Sequence, residues 1–538
     1  MASNLKLLRQ DDFTGGLNLR ADQFQLGPNE SPSMLNVEID PRGGLFSRGA
    51  MRRINGSAIA VGEWNPERLF PFYGAEAYVM LTTGKGIADG SVYYSSGSSF
   101  SPLAVPVASS HGAGFAPWGE VLYMVTGSTS YKWDTTPATN VLTTLTASGV
   151  SGSGSWQNNY TTPVGGFMPI AKHAVTHAGK VFVAGTTEGG VAFSNRIRWS
   201  HPNSPENWAY DDYIDINDGG SQVNGLSVVA GHLVVFKENG VFAIFGYDSD
   251  SFQVVEISRT VGCSNPHAFS NSENGVYFFS FPEGLMFYDG TTVRDLFEPL
   301  RPMFDLGYLN NEKSDEIYVN FVNRRVWLSM PYSVSDNVTY PSVSFVYDGS
   351  IGRVGAWTML STADSRGAAG GCTFISDTST NLHLIIHPTK PQVLRVDMYT
   401  QFQDDIEGTN TPFVSRYRTR WQDGGNYSQK KMFRRPDIIA KQTNANSALK
   451  MNIFRDYEEA SVVRSYEVDL PESSGGMMWG VSNWGEALWG APNYGSQLVN
   501  GNNLGLARSI QVEFEGPPAR AWGINSYTLK YSPRRIKS

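Results

Sequence analysis

Long hydrophobic runs are the first feature that the sequence lacks. No stretch approaches the roughly 20 apolar residues of a membrane span, and the richest run, Leu226 to Phe236, is interrupted by Gly231 and His232. The first twelve residues are polar and end in two aspartates, unlike the apolar centre of a signal peptide. We therefore expect a soluble protein that is made in a cytosol and has no membrane-spanning segment.

Cysteine and the common catalytic motifs are also scarce. Cys263 and Cys372 are the only cysteines, too few for a disulfide scaffold or a zinc site, and we expect two reduced, buried thiols. His173 and His177 would share one face of a strand, but no third metal ligand is apparent. Neither a phosphate-binding glycine loop nor a nucleophile elbow beside a strand is present. The sequence therefore predicts no metal, no cofactor and no catalytic residue, and so no enzyme.

Long helical periodicity is the third absence, and the composition favours strands. Aromatic residues make up 12 % of the chain and glycine occurs 56 times. Aromatic and β-branched side chains suit a pleated sheet, and glycine supplies the turns between strands. The best case for a helix is short, residues 31–35, with Ser31 as the N-cap and Pro32 at the first helical position. The sequence predicts a mainly β fold.

One pattern recurs through residues 61–405: an apolar strand, a turn, a second strand and a polar loop. Seven such units follow one another, at roughly the 40–50-residue spacing of propeller blades. Three of the turns contain Asn239-Gly240, Asp289-Gly290 and Asp348-Gly349, dipeptides that tolerate the positive φ of tight hairpins. The repeat predicts a β-propeller of about seven blades, with six or eight also possible. The alternative is two unrelated β-sandwiches.

Two regions lie outside this repeat. Residues 1–60 form an arm rich in Gly, Pro and Arg, and residues 406–538 form a more basic, β-rich and sandwich-like domain. We expect the two to build one platform that contacts partner proteins, since the arm reads as an extended contact segment. On this view a chain lacking residues 1–55 keeps a folded propeller.

Several short motifs carry a resemblance to a known family. The arm contains Asp12 to Arg20 (DFTGGLNLR), Asn36 to Asp40 (NVEID) and Gly43 to Gly49 (GGLFSRG), and the middle contains Asn195 to Ser200 (NRIRWS) and Tyr213 to Ile216 (YIDI). These motifs resemble those of the tail nozzle, or tail-hub, proteins of short-tailed bacteriophages, which include packaged-DNA stabilisation and tail tubular proteins. The family often has a proline between the arginine and glycine of the third motif, whereas this chain runs Arg48-Gly49 directly.

The resemblance implies a structural virion protein. Nozzle subunits form a homo-oligomeric ring, typically a hexamer, beneath the portal and head–tail adaptor proteins, next to tail fibre or tail-tip proteins. The ring surrounds the channel of DNA ejection and helps to retain the packaged genome, which passes without sequence-specific binding. The implied location is the virion tail, assembled in the cytoplasm of the bacterial host.

Candidate interface residues follow from the arm motifs and from the basic start and tryptophan cluster of the C-terminal region. They are Phe13, Gly15, Gly16, Leu17, Asn18, Arg20, Arg48, Arg416, Arg418, Arg420, Trp479, Trp484 and Trp489.

Charge suggests how the lumen is lined. Residues 413–538 contain 17 basic and 11 acidic residues, so that this part carries +6 and the remainder −14. An acidic wall repels DNA phosphates and lets the genome slide, while the basic part suits an acidic protein partner. We predict that propeller loops form the gate, with Asp211, Asp212, Asp215 and Asp218 as the lumen residues and Asp248 to Asp250 beside them.

A propeller that binds or cleaves carbohydrate is the alternative function. Trp133, Trp156 and Trp208 could stack on sugars if exposed, and Asp348-Gly349 with Trp357 faintly resembles the Asp-box of sialidases. The simpler interpretation of Asp348 and Asp289 is that they are turn residues.

Overall fold

The computed structural model describes most of the chain. The described residues are 5–20, 22, 25–59, 64–84, 90–107, 112–136, 141–145, 167–217, 221–305, 309, 311–332, 342–440, 447–459, 461–470, 496–498 and 504–534. Five residues of the predictions lie outside them: Trp156, Asp218, Trp479, Trp484 and Trp489.

The arm contributes short strands, not a helix. Its strands are β1 (Lys6–Gln10), β2 (Gly16–Leu17), β3 (Glu30–Ser31), β4 (Ser33–Leu35), β5 (Val37–Ile39), β6 (Leu45–Ser47) and β7 (Ala50–Arg53). The expected helix at 31–35 is wrong. The Ser31 hydroxyl donates to the Arg418 carbonyl at 2.7 Å, and Met34 pairs with Tyr417 in the register of a strand. Pairing with a distant strand therefore outweighs the local capping signal.

The described strands next form seven four-stranded antiparallel sheets, six of which are meanders of strands consecutive in sequence. The first four are blade 1, β8 (Pro66–Tyr73), β9 (Ala77–Thr83), β10 (Gly90–Ser95) and β11 (Ser101–Val107); blade 2, β12 (Gly114–Trp118), β13 (Val121–Val125), β14 (Ser130–Asp134) and β15 (Val141–Leu145); blade 3, β16 (His173–His177), β17 (Lys180–Glu188), β18 (Val191–Trp199) and β19 (Tyr213–Asp215); and blade 4, β20 (Val223–Val229), β21 (His232–Lys237), β22 (Val241–Phe245) and β23 (Gln253–Ser258).

The last three blades complete a circle. They are blade 5, β24 (Phe269–Ser272), β25 (Gly275–Ser280), β26 (Gly284–Tyr288) and β27 (Val293–Asp295); blade 6, β28 (Tyr318–Val322), β29 (Arg325–Met330), β30 (Val343–Asp348) and β31 (Ala356–Leu360); and blade 7, β32 (Gly371–Ile375), β33 (Asn381–Ile386), β34 (Val393–Met398) and β7 from the arm. The described helical turns, 3-10 turns at Glu298–Leu300 and Asn311–Glu316 and α1 at Pro302–Asp305, lie between blades 5 and 6.

The seven sheets form a β-propeller, which confirms the predicted fold class. The first strand of each blade is innermost, and β32 of blade 7 packs beside β8 of blade 1, closing the ring. The hydrophobic core lies between successive blades, as where Met80 and Val92 of blade 1 meet Phe115 and Leu122 of blade 2. The domain boundary at residue 60 differs from the structure, because β7 is the outer strand of blade 7 and pairs with Leu394 and Arg395.

The platform consists of two sheets that both chain ends build together. The remaining strands are β35 (Gln403–Ile406), β36 (Thr409–Pro412), β37 (Arg416–Arg418), β38 (Lys431–Phe433), β39 (Asp437–Ala440), β40 (Ser447–Arg455), β41 (Arg464–Leu470), β42 (Ser496–Leu498), β43 (Gly505–Ala507), β44 (Ile510–Glu515) and β45 (Gly523–Pro533). One sheet centres on β45, which pairs with β1, β6, β38 and β39; the other has the order β4-β37-β44-β40-β41. Buried residues of both sheets share one core, where Phe514 contacts Tyr527 at 5.4 Å between ring centres.

In the part of the chain that the structure describes, no helix is long and apolar enough to cross a membrane.

Candidate functional site

Arg48 is the centre of the joint between arm, propeller and platform. Its guanidinium donates to both carboxylate oxygens of Asp404 at 2.8 and 2.9 Å, to the Asn36 amide oxygen and to the carbonyls of Gly49 and Ser361. The carbon of the guanidinium also lies 3.6 Å from the centre of the Phe413 ring. All five N–H donors of the arginine are used, so the buried charge is both paired and fully hydrogen-bonded. Arg48 thus ties the arm to both the propeller and the platform.

A second, partly buried ion cluster lies at the same joint. Arg325 of blade 6 contacts the carboxylates of Glu38, in the arm, and Asp348, each at 3.0 Å. The Tyr399 hydroxyl donates to Glu38 at 2.8 Å. The Glu38 carboxylate raises the pKa of Arg325 further, and burial raises the pKa of Tyr399 well above its usual value. Arg325 therefore stays charged and Tyr399 protonated, and the cluster ties the arm to the blades.

Several residues of the first arm motif, Asp12 to Arg20, are packing residues. Phe13 and Leu17 are buried in the core that the platform shares with blades 4 to 6. Gly16 has φ of +65°, and a Cβ there would lie 2.7 Å from the Trp357 carbonyl oxygen, so that only glycine fits. A Cβ on Gly15 would meet the Asn29 carbonyl at 2.8 Å. The arm passes here directly over blade 6.

Buried arm residues cannot serve as an interface with other proteins in this structure, which corrects the prediction for Phe13, Leu17 and Arg48. Asn18 is engaged as well, because its amide donates to Glu30 at 2.9 Å. Arg20, which forms an exposed ion pair with Glu298, remains available at the surface.

The basic residues at the start of the C-terminal region have different environments. Arg418 pairs with Glu513 at 2.7 Å, and Arg420 donates to the Leu26 carbonyl at 3.0 Å. Arg416 is exposed. Of the three, Arg416 is thus the one that offers its charge freely to a partner.

Asp211, Asp212 and Asp215, three of the aspartates predicted for the lumen, lie at the outer edge of blade 3, beside or within β19. Asp215 is paired with Arg196 at 2.8 Å, and Asp212 is buried. Asp211 is exposed. A carboxylate that is paired or buried cannot repel passing DNA, so the prediction is corrected for Asp215 and Asp212.

The middle motif, Asn195 to Ser200, stabilises blade 3. Arg198 contacts Glu188 at 2.6 Å, and the Arg196 guanidinium lies between the rings of Phe193 and Tyr213 at 3.9 and 4.0 Å. Burial is the largest single effect on the pKa of Glu188 and raises it. The hydrogen bonds from Arg198 and Thr186 and the charges of both arginines together outweigh burial, so the pKa of Glu188 lies below its usual value. These contacts of Arg196 and Arg198 hold the outer strands of the blade together.

The axial channel of the propeller is a cavity with a mixed polar and apolar lining that the motif search did not single out. It has a volume of about 950 Å³ and contacts the innermost strand of every blade. Representative lining residues are Arg68, Phe115, Val175, Leu226, Asn271, Phe321 and Thr373. Such a volume is typical of small-molecule sites, about 300–1,000 Å³, and is far too small for duplex DNA.

Charged residues are among those that line this channel. Arg68 and Glu67 begin the innermost strand of blade 1, and the Arg68 guanidinium donates to the Pro266 carbonyl at 2.8 Å. Burial lowers the pKa of Arg68, while Glu67 and Cys263 act in the opposite direction. A Glu-Arg pair that begins an otherwise apolar strand is the sequence signal that could have pointed to this site.

Both thiols are buried and free, as expected from the sequence. Burial raises the pKa of Cys263 and of Cys372 to about 12, so that both stay protonated at neutral pH. Among the described residues, no group of three or more His, Cys, Asp or Glu side chains is placed to hold a metal ion.

The residues proposed for carbohydrate binding that the structure describes have other roles. Trp133 and Trp208 are buried, which removes them as stacking surfaces. The indole of Trp357 is also buried and donates to the Leu296 carbonyl at 3.0 Å. Asp348 accepts from the Ser350 backbone N–H at 2.9 Å and is a turn residue, as is Asp289, which accepts from two backbone N–H groups.

Comparison with known proteins gives structural likeness only. No family model matches the chain, and no curated protein does. Solved structures that resemble it include YCF48 bound to D1 peptide (10 % identity, TM-score 0.36, covering 68 % of this chain and 99 % of that one). BamB from Moraxella catarrhalis is similar (11 %, 0.33, 65 % and 97 %), as is YCF48 from Cyanidioschyzon merolae (12 %, 0.37, 65 % and 98 %). These likenesses carry no argument about function.

Proposed function

We propose that this protein is a structural subunit of the tail nozzle of a short-tailed bacteriophage, without catalytic activity. The proposal rests on where the arm motifs that resemble the nozzle family lie in the structure. Phe13, Leu17 and Gly16 pack the arm onto blade 6 and the platform core, and Arg48 ties it to Asp404. The residues of the resemblance thus build the joint that a two-domain ring subunit needs.

A rigid joint suits a conduit. A subunit that retains a packaged genome must hold its propeller and platform at a fixed angle, and closely packed joints are bistable or rigid rather than continuously deformable. Two ion clusters, a buried one around Arg48 and a partly buried one around Arg325, lie at this joint. Breaking either one leaves an uncompensated buried charge, which is costly.

The DNA route follows from the size of the axial channel. Because that channel is of small-molecule size, we propose that the genome passes through the space enclosed by the ring of subunits. The balance of −14 outside residues 413–538 supports an acidic wall for that space. Since Asp212 and Asp215 are buried or paired, the exposed Asp248 and Asp250 are the better choice for the lumen.

Cryo-electron microscopy of intact particles tests the proposal. We expect a ring of this chain beneath the portal and adaptor, typically hexameric, with the platform facing the adaptor and an acidic lumen. A single peripheral copy, a basic lumen or absence of the chain from tails would each contradict it.

A further inference from the structure

The outer edges of the propeller blades are protected to different degrees. β11 contains two prolines, Pro102 and Pro106, and β19 and β27 have only three residues each. The arm covers β31, where Asn36 donates to the Met359 carbonyl at 2.8 Å, and the β35–β36 hairpin covers β7. β15 is followed by residues 146–166, which are not among the described residues. Short strands, prolines and covering segments are the usual ways to prevent edge-to-edge pairing.

β23 of blade 4 has none of these protections. It has six residues, no proline and a single charge, and among the described strands it pairs only with β22. Val254 and Val255 are 41 % and 42 % exposed, although successive side chains leave opposite faces of a strand. Both faces of this edge are therefore open to solvent. A long, exposed, β-branched edge invites pairing with another strand.

β1 of the platform is a second open edge. Among the described strands it pairs only with β45, and Leu7 is 61 % exposed. A groove of about 620 Å³ runs beside it, lined by residues 7–10 and by Trp421, Tyr427 and Tyr457. Because four consecutive residues of β1 line the groove, the groove borders the edge of the strand and not one face alone.

The two edges are complementary in charge. β1 carries Lys6 and Arg9, whereas β23 carries Glu256 and follows the exposed Asp250. Arg9 and Glu256 are held in exposed ion pairs with Asp11 and Arg259 at 3.2 and 2.5 Å. Such pairs contribute little, about 0–1 kcal/mol, and are therefore easily exchanged for new partners.

We infer that β23 of one copy of this chain adds to the free edge of β1 in a second copy, with its valines in the groove beside Trp421 and Tyr427. Strand addition supplies main-chain hydrogen bonds, and the groove and the charges select the partner. The contact joins two different surfaces, so each copy both gives and receives a strand. Such a head-to-tail contact generates a ring when its rotation closes. The inference rests on the proposed ring and names the surfaces that build it.

Cysteine cross-linking tests the contact directly, since both natural thiols are buried. Leu7→Cys is combined with Val254→Cys and, separately, with Val255→Cys, because the two valines leave opposite faces of the strand. Under a mild oxidant we expect one of the pairs to give a ladder of covalent oligomers on a non-reducing gel, since paired strands bring residues within disulfide range. Leu7→Cys with Val191→Cys, at a similarly exposed valine of blade 3, is the control without a ladder.

The measurement is made on the purified chain at high concentration and on assembled particles. The inference is overturned if neither of the two cysteine pairs on β23 gives a ladder of covalent oligomers in either sample. A ladder from the Val191 control as strong as that from β23 also overturns it, because the cross-link then reports random collision.

Charge reversal provides a second test. Lys6→Glu with Arg9→Glu, or Glu256→Lys alone, is expected to weaken association about tenfold in sedimentation velocity, and the combination of all three is expected to restore it. Lys430→Glu, an exposed reversal outside both edges, should have no effect. Failure of the combined variant to recover contradicts the contact.

The two proposals fail in different ways. If the purified chain gives the ladder but is absent from phage tails, the contact stands and the nozzle function fails. If particles contain the chain as a ring in which neither cysteine pair cross-links, the function stands and the contact fails.

Discussion

The propeller and the platform are both built from antiparallel strands, but their strands find partners at very different distances along the chain. In blade 4 every pairing joins neighbours in sequence, from β20 to β23. In the platform, β45 near the C-terminus pairs with β1 near the N-terminus, and the Tyr527 hydroxyl bonds to Gln10, 517 positions away. Blade 7 combines both modes, because three local strands are completed by β7.

This difference indicates where the molecule is cooperative. A blade can form from a local segment, but blade 7 is complete only when the arm has added β7, and the platform sheets need strands from both ends of the chain. Non-local pairing requires loop closure before any contact is made. The arm is therefore the element on which both halves depend.

Removing the arm is the strongest test of that dependence. A chain lacking residues 1–55 loses β7 and the four arm strands of the platform sheets, β1, β4, β5 and β6. We expect no cooperative thermal transition, in contrast to the sequence-based expectation that such a chain keeps a folded propeller. Circular dichroism and calorimetry provide the measurement. A chain lacking residues 1–5 keeps every described strand and is the control. A sharp transition in the longer deletion would show that the propeller closes without β7.

Whether a contact could be predicted from the sequence depends on how far apart its residues lie along the chain. The hairpins were readable, because Asn239-Gly240 stands directly between the two strands that it joins. The closure of blade 7 was not, since nothing in Ala50–Arg53 marks β34 as its partner. Arg48 looked like a surface residue for the same reason: Asp404, which neutralises it, is 356 positions away. Charge patterns were equally ambiguous, because Asp215 and Asp211 look alike until Arg196 is seen beside one of them.

Breaking the Arg48 ion pair tests the joint without removing a strand. Arg48→Met leaves Asp404 as a buried carboxylate without its cation, and removal of one partner of such a pair costs about 3–5 kcal/mol. We expect the free energy of unfolding in urea to fall by that amount. Arg20→Met removes an arginine whose ion pair with Glu298 is exposed at both side chains, 62 and 60 %, and should change the free energy of unfolding by about 0.5 kcal/mol or less. Equal losses in the two variants would refute a structural role for the buried pair.

A local turn should matter less than the joint. The Asp289 carboxylate accepts from the backbone N–H groups of Thr291 and Thr292 at 2.9 and 2.8 Å within blade 5. Asp289→Ala is expected to cost about 1 kcal/mol, the net contribution of ordinary hydrogen bonds. Asp211→Ala, at an exposed position, should stay within about 0.5 kcal/mol of the wild type. If the turn variant lost as much as Arg48→Met, local and non-local contacts would not differ in the way proposed.

An effect of similar size but opposite sign is expected where the two regions meet. Asp397 lines the small cavity at the Arg48 and Glu38 joint, with Arg395 at 3.6 Å and His383 at 4.0 Å. Burial is the main cause that raises its pKa to about 6, and the nearby Glu38 carboxylate adds to it, while Arg395 opposes both. A carboxyl with a raised pKa favours the folded state when it is protonated. Its contribution is therefore complete below about pH 4 and is lost as the pH rises through 6.

Asp397→Asn removes this titration, and asparagine tolerates the positive φ of +71° at the position. We expect the variant to be more stable than the wild type at pH 7.5, by about 1 kcal/mol because partial exposure screens the effect. The gap should narrow toward pH 4.5, where the wild-type carboxyl becomes neutral. Urea unfolding of the variant and the wild type at the two pH values gives the difference in their free energies of unfolding. The other titrating groups are the same in both chains, so their contributions cancel in that difference. A gap that stays constant with pH would mean that burial and the Arg395 ion pair cancel at this carboxyl. A variant less stable at pH 7.5 would mean that the ion pair outweighs burial, and that charge stabilises the joint at Asp397 just as it does at Arg48.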